Sequence, residues 1–368
     1  MKIYLDNAAS TPVAEEVISE LSGLMRSHYG NPSSIHQQGR DARALVEMSR
    51  KQIANFIGAQ ASEIVFTSGG TEADNLAIYS AIHNFKIEHI ITSELEHSAV
   101  YNTVKESGVE VHWLKFNNKG EIDTDHLRTL LQAIKGKVLV SLMHVNNELG
   151  TLLPLKEVSQ LCTDFGAYFH SDTVQSIGHL PINLKEVQID FITCSAHKIH
   201  GLKGTGFLYV NKRNKISGQI HGGGQERDLR SGTENVTGIV SMAKALSICK
   251  IEEEAQYTQV LKDRLYKGLQ EIYGNELLLN GSYEKSTPYV LNVCLPARNS
   301  ASMLLFNLDL EGIAVSGGSA CSSGSHKSSR VLSAIGINDS LPAIRFSFSR
   351  YNTIEEVDLV LEKLRRIY

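Results

Sequence analysis

From about Glu63 onward, short β-prone runs alternate with longer stretches in which apolar positions recur every three to four residues. The runs Glu63–Thr67, Glu88–Thr92, Val109–Leu114, Val138–His144, Ala167–His170, Asp190–Cys194 and Gly206–Val210 predict strands. Thr71–Asn84 sets Ala73, Leu76, Ala77 and Ser80 on one face, and Pro154–Phe165 carries a proline at its first turn, so both predict helices. Strand–helix–strand alternation implies an α/β fold with a mostly parallel sheet covered by helices. Such sheets place ligands at the carboxyl ends of their strands. Beyond Gly232 the pattern changes. A helical stretch runs to about Tyr273, followed by a strand (Tyr289–Leu295), a helix (Ser300–Leu310) and a Gly/Ser-rich loop (Ser316–Ser329). A helix (Lys327–Ile335), a strand (Ala343–Phe348) and a final helix (Ile354–Ile367) complete a second, smaller α+β domain.

The 368 residues are 42% hydrophobic and 21% charged, ordinary globular proportions with ample apolar material for a sizeable core. The formal net charge of -4 comes without a basic stripe, so no direct nucleic-acid ligand is expected. The N-terminus, MKIYLDNAAS, lacks the apolar stretch of a signal peptide, and no apolar run approaches roughly 18 residues. A soluble cytoplasmic protein with no membrane partner is expected. The five cysteines lack CxxC spacing and make no disulfide framework in a chain this long, so each is weighed as a separate thiol.

Candidate chemistry gathers at the ends of the predicted strands. Ser195-Ala196-His197-Lys198 directly follows Asp190–Cys194, a position that suits a Schiff-base lysine with neighbours able to hold a phosphate. Taken alone, Lys198 reads as a solvated loop lysine. Asp172 and Gln175 follow the strand Ala167–His170. A carboxylate there can keep a pyridine nitrogen protonated, and an amide can bond a ring phenolate, although Asp is also a common helix N-cap. Thr67–Glu72, with Gly69, Gly70 and Thr71 opening a helix, can cradle a phosphate but is neither a P-loop nor a dinucleotide fingerprint. His97 can stack on a flat ring and shuttle protons, or can be structural. Cys162, Cys194, Cys249 and Cys294 fall in helical or strand patterns and read as small core residues. Cys321 alone sits in a Gly/Ser loop, where a thiol has a reason to be reactive rather than packed. Arg345, inside an apolar strand, wants a carboxylate, either from a substrate or from an internal salt bridge.

With these residues in hand, the sequence closely resembles the cysteine desulfurases, the NifS/IscS-like family of pyridoxal-phosphate (PLP) enzymes in the class-V aminotransferase group. The likeness runs through Tyr4–Ala9, Gly30–His36, Ser68–Asn75, Asn146–Gly150, Asp172–Gln175, Ser195–Lys198, Gly222–Glu226, Arg230–Asn235, Ser319–Gly324 and Ile344–Ser347. It implies PLP fold type I. A large domain (16–254) would hold a mostly parallel, seven-stranded-type sheet. A small α+β domain (1–15 and 255–368) would carry the catalytic cysteine loop, about 316–329. The roles implied are Lys198 as the Schiff-base lysine and base, Cys321 as the nucleophile that becomes a persulfide, and His97 as the stacking ring. Gly70, Thr71, Ser195 and His197 resemble phosphate ligands, and Thr233 resembles one supplied by the partner subunit of a homodimer. Asp172 and Gln175 fit the ring contacts, while Asn147 and Arg345 resemble residues that orient cofactor and substrate. The implied reaction takes sulfur from L-cysteine, leaves L-alanine, and passes sulfur from Cys321 to an acceptor protein for iron–sulfur cluster, thio-cofactor or tRNA biosynthesis. No resident metal is expected; contact of Cys321 with an iron–sulfur cluster during transfer is. Selenocysteine lyase and other enzymes on the same scaffold are the nearest alternatives, and a non-catalytic sulfur relay fits less well.

Overall fold

The computed structural model describes residues 2–298, 303–317 and 329–368. The predicted cysteine at Cys321 and the expected helix starts at Ser300 and Lys327 lie outside the described residues. Strands β2 (Ile64–Thr67), β3 (His89–Thr92), β4 (Glu110–Trp113), β5 (Val138–Ser141), β6 (Tyr168–Asp172), β7 (Phe191–Ser195) and β8 (Gly206–Val210) form one seven-stranded sheet in the order β2-β8-β7-β6-β5-β3-β4. Strand β8 runs against both of its neighbours and the remaining pairs are parallel, so the sheet is mostly parallel as expected.

Alternation along the strands builds two apolar layers. On one face Val65, Ile90, Leu139, Phe191 and Leu208 pack against Ala73, Leu76, Ala77 and Ala81 of α3 (Gly70–Phe85) and Val100 and Val104 of α4 (Ser98–Lys105). On the other, Phe66, Ile91, Val140, Phe169, Ile192 and Phe207 meet the remaining helices of this part. These are α1 (Glu15–Ser27), α2 (Gln37–Phe56), α5 (Thr124–Ala133), α6 (Leu155–Phe165) and α7 (Val236–Ser247). A separate core joins α8 (Ile251–Tyr273) and α11 (Ile354–Ile367) to an antiparallel sheet of β9 (Leu278–Leu279), β10 (Val290–Cys294) and β12 (Ala343–Ser347). Near it lie the short helices α9 (Leu304–Leu310) and α10 (Arg330–Ala334).

Three local expectations are corrected. Strand β6 continues past His170 to Asp172, because Asp172 pairs with Thr193 of β7 and cross-strand bonding outweighs the polar sequence. Pro154 precedes α6 as its cap instead of occupying the first turn. The helical stretch before Tyr273 is two helices, and Cys249 sits in the break between them, its thiol donating to Ala245 O at 3.2 Å.

The N-terminal segment crosses between the cores. Strand β1 (Ile3–Tyr4) pairs with β11 (Ile313–Ala314), and Asn7 Nδ2 donates to Ser347 O at 2.9 Å. A few residues on, the Thr11 amide donates to His197 O at 2.9 Å and the Ala14 amide to His200 O at 3.0 Å.

One buried ion pair fixes an unusual turn. Glu226, Arg227 and Asp228 all have left-handed backbones, with φ of 46°, 58° and 64°. Such residues persist only where surrounding contacts over-determine them. Here the Glu226 carboxylate accepts two bonds from Arg50, both 2.7 Å, and one from the Phe66 amide at 2.8 Å. Glu226→Ala strands the buried Arg50 guanidinium and is expected to lower stability by about 3–5 kcal/mol in urea unfolding. A loss below about 1 kcal/mol would show that the exposed Glu47 holds Arg50 well enough alone.

Candidate active site

The carboxyl ends of five parallel strands converge on one cavity of about 220 Å³. Strand β2 leads into Gly70 and Thr71, β3 toward His97, β5 toward Met143 and Asn147, β6 ends at Asp172, and β7 ends at Ser195 with His197 and Lys198 in the turn that follows. Arg345, from β12 of the C-terminal core, completes the lining together with Ala8, Ala9, Asp74, Val174 and Gln175. A cleft outside strand ends, between two cores, is where an open α/β sheet accommodates a ligand.

Each polar group is held in a definite way. The Lys198 amine donates to Ala8 O at 2.6 Å and Ala9 O at 2.8 Å. Gln175 Nε2 also donates to Ala8 O, at 2.8 Å. Asp172 accepts from the Val174 amide at 2.9 Å, and His97 Nδ1 caps α4 by accepting from the Ala99 amide at 3.2 Å. Arg345 is buried; it donates to Asp6 Oδ1 at 2.9 Å and Asn147 O at 2.7 Å. The internal ion pair left open by the sequence is therefore present, and the buried Arg345 Nε has no hydrogen-bond partner among the described residues. At the other end, helix α3 opens at Gly70. A methyl group there would come within 2.7 Å of Val174 Cγ2, so the backbone itself walls that corner. The first-turn amides of a helix have no acceptor inside it and carry partial positive charge, which suits an anion.

Burial dominates the electrostatics. Asp74, His97 and Asp172 each place one potential ligand atom within 4.8 Å of the others. Burial first, and the Asp74 carboxylate second, raise Asp172 to about 6. His197 is lowered to about 4, by burial first and then by the Lys198 and Lys203 charges, so its imidazole is neutral at pH 7. Below the cavity His170 Nδ1 lies 2.8 Å from Ser141 Oγ, and its Nε2 faces Asp74 Oδ1 at 3.4 Å.

The cavity brings together Lys198, His97, Gly70, Thr71, Asn147, Asp172, Gln175, Ser195, His197 and Arg345. Thr233 does not line it and is exposed. Cys321 lies outside the described residues. Sequence reasoning gave no role to Asp74, which looks like one more polar position on α3, or to Asp6, Ala8 and Ala9. The run Tyr4–Ala9 had been part of the family likeness, and that was the available signal.

This chain belongs to the aminotransferase class-V family, whose profile matches residues 3–360. It is 41% identical to a cysteine desulfurase IscS from Dictyoglomus turgidum over 375 residues, covering 100% of this chain and 94% of that relative. A solved NifS-like protein from Rickettsia africae superposes with a TM-score of 0.91 at 33% identity, covering 100% of this chain and 99% of the other. A structure described as SspA in complex with cysteine superposes with a TM-score of 0.83 at 32% identity, over 96% and 100% of the two chains. Within the family the chain falls among the cysteine desulfurases, and it is an enzyme.

The raised Asp172 makes a pH-dependent prediction. An acid whose folded pKa lies above its unfolded value near 3.9 stabilises the fold fully below that value and loses the contribution as pH rises through about 6. In the cofactor-free protein, Asp172→Asn should therefore be more stable than the parent at pH 8, by on the order of 2 kcal/mol. The difference should vanish near pH 4. Urea unfolding at both pH values measures it, and an equal effect at both would contradict the buried-charge account.

Proposed function

We propose that this enzyme holds PLP in the strand-end cavity and uses it to take the sulfur of L-cysteine onto Cys321 as a persulfide. The observation that carries the reading is the convergence of Lys198, Asp172, His97 and Arg345 on one cleft from four separate strands. The residues fit the cofactor on chemical grounds. An amine that can bond an aldehyde, a buried carboxylate for a ring nitrogen, an imidazole for a ring face and a helix N-terminus with Ser195 and His197 for a phosphate are what such a group requires. When bound, PLP supplies an electron sink for the substrate carbon.

The chain's own residues do the rest. Lys198, the residue that would bond the cofactor aldehyde, would also serve as the base that moves the substrate Cα proton. Asp172 stays ionised against a ring cation and so keeps the ring nitrogen protonated. Arg345 offers the substrate carboxylate a two-pronged contact through its guanidinium, whose Nε has no partner among the described residues, with Asn147 beside it. The Cys321 thiolate attacks the substrate sulfur; an S–S bond forms as the C–S bond breaks, the C–S electron pair goes to the substrate Cβ, which takes a proton, and the proton held by Lys198 returns to Cα, giving alanine. The persulfide then passes its outer sulfur to an acceptor protein. Thr233, on the surface and away from its own cavity, is assigned to the phosphate of a partner subunit in a homodimer.

Cys321→Ser separates the two halves of this chemistry. It should fold, keep the visible PLP band and respond spectrally to L-cysteine, yet lose alanine production. Near-normal alanine release from it would refute the persulfide route. Arg345→Lys keeps charge but loses the fork, and should weaken L-cysteine binding by about 1.5–3 kcal/mol, read as KM. An unchanged KM would assign Arg345 to the Asp6 ion pair alone.

A further inference from the structure

We infer a transition-metal site at the far edge of the central sheet, formed by His89, Glu110 and His112 and suited to Zn²⁺. The argument begins with register. His89 opens β3 and pairs directly with Glu110 of β4, while His112 lies two residues further along β4, opposite Ile91. Paired residues share a face, as do residues i and i+2 of a strand, so all three side chains leave the sheet on the same side. They meet there: His89 Nδ1 is 3.1 Å from His112 Nε2 and 3.3 Å from Glu110 Oε2, and His112 Nε2 is 3.8 Å from Glu110 Oε1. Donors bound to one tetrahedral zinc at roughly 2.0–2.2 Å stand about 3.3–3.5 Å apart, and the distances here, 3.1 to 3.8 Å, bracket that spacing, so small side-chain shifts would bring the three donors onto one ion.

The protonation pattern suits a metal as well. His89 Nε2 lies 3.0 Å from the carbonyl of Lys135, which can only accept, so that nitrogen carries the hydrogen and Nδ1 is left with its lone pair. A backbone carbonyl on the second ring nitrogen is the arrangement that orients a metal-ligating histidine. Without a metal, His112 Nε2–H can donate to that lone pair; a cation would take the place of this hydrogen and draw in the Glu110 carboxylate as well. Two imidazoles, one carboxylate and no thiolate select a borderline cation such as Zn²⁺ over Mg²⁺ or Ca²⁺, with water completing the shell. The imidazoles are partly exposed and Glu110 more so, giving the ion a path from solvent.

The site lies at the opposite end of β3 from the residues that lead to His97. Its consequence is structural. Strand β4 is the sheet's outermost strand and hydrogen-bonds only to β3. A metal with ligands from both strands cross-links the edge and shields it from pairing with another chain.

The test uses PLP-loaded, untagged protein, stripped with a chelator and dialysed against Zn²⁺. The intact chain should bind Zn²⁺ and show a rise in Tm on binding. His112→Gln and, independently, Glu110→Gln should each weaken this binding at least about tenfold and abolish the Tm rise, while the PLP band and far-ultraviolet circular dichroism stay unchanged. Comparison with the parent removes the contribution of thiols elsewhere in the chain. Zn²⁺ affinity equal to the parent's in both variants, or no Tm response in the parent, would overturn the site and leave His89 and Glu110 as an ordinary ion pair.

Discussion

The amine of Lys198 reaches into a cleft walled by two cores, and an ammonium partly withdrawn from water needs acceptors around it. The carbonyls of Ala8 and Ala9, at 2.6 and 2.8 Å, are such acceptors. They belong to the segment whose flanks are stitched to the C-terminal core by β1 and Asn7 and to the turn bearing Lys198 by Thr11. One short strap therefore fixes the distance between the two halves of the site. Asp6 on the same strap neutralises Arg345, so both cations of the cleft are matched before any ligand arrives. Under the proposed function, a substrate carboxylate would compete with Asp6 for Arg345, and an aldehyde with the two carbonyls for Lys198. Affinity for either is the difference between two sets of contacts, which makes the strap a determinant of binding although little of it touches a ligand.

The carboxylates pull the other way. Asp172 and Asp74 share a dry space with His97 and His170, and the cost of two charges there raises Asp172. Binding and protonation are linked: a ring cation placed against Asp172 would lower its pKa, and the ionised Asp172 would in turn hold the ring proton. The neutral state of His197 fits this balance, since a second imidazolium beside Lys198 would oppose the amine. This balance is what the proposed function requires of a site for a ring cation with an anionic end.

Most of this was legible in the sequence because it obeys local rules. Strand ends followed by Gly70, Asp172 and Lys198 announce themselves through periodicity and through the residue types that follow. What could not be read is nonlocal. The pairing of Ile3 with Ile313 closes a loop of most of the chain, and no pattern within either segment specifies the other. Arg345 and Asp6 are 339 residues apart, so the choice between a substrate clamp and an internal salt bridge had no sequence answer. Asp74 was missed for a similar reason. Its neighbours on α3 are ordinary helix formers, and only the fold turns that position toward β6.

The thiols show how placement sorts chemistry within one residue type. A cysteine attacks sulfur as its thiolate, so burial that raises its pKa removes it from the reaction. Cys162 and Cys194 are buried in the layer under the central sheet, and burial pushes both well above the usual thiol range. Cys249 is pushed up to about 12, mainly by burial, and Cys294 is raised by burial within β10. All four also lack a route to the cleft, since none lines it. A sulfur-accepting thiol must stay ionisable and must reach first the substrate and then a second protein. The four described thiols fail those demands, which is why the proposed function turns to Cys321 and its Gly/Ser-rich sequence.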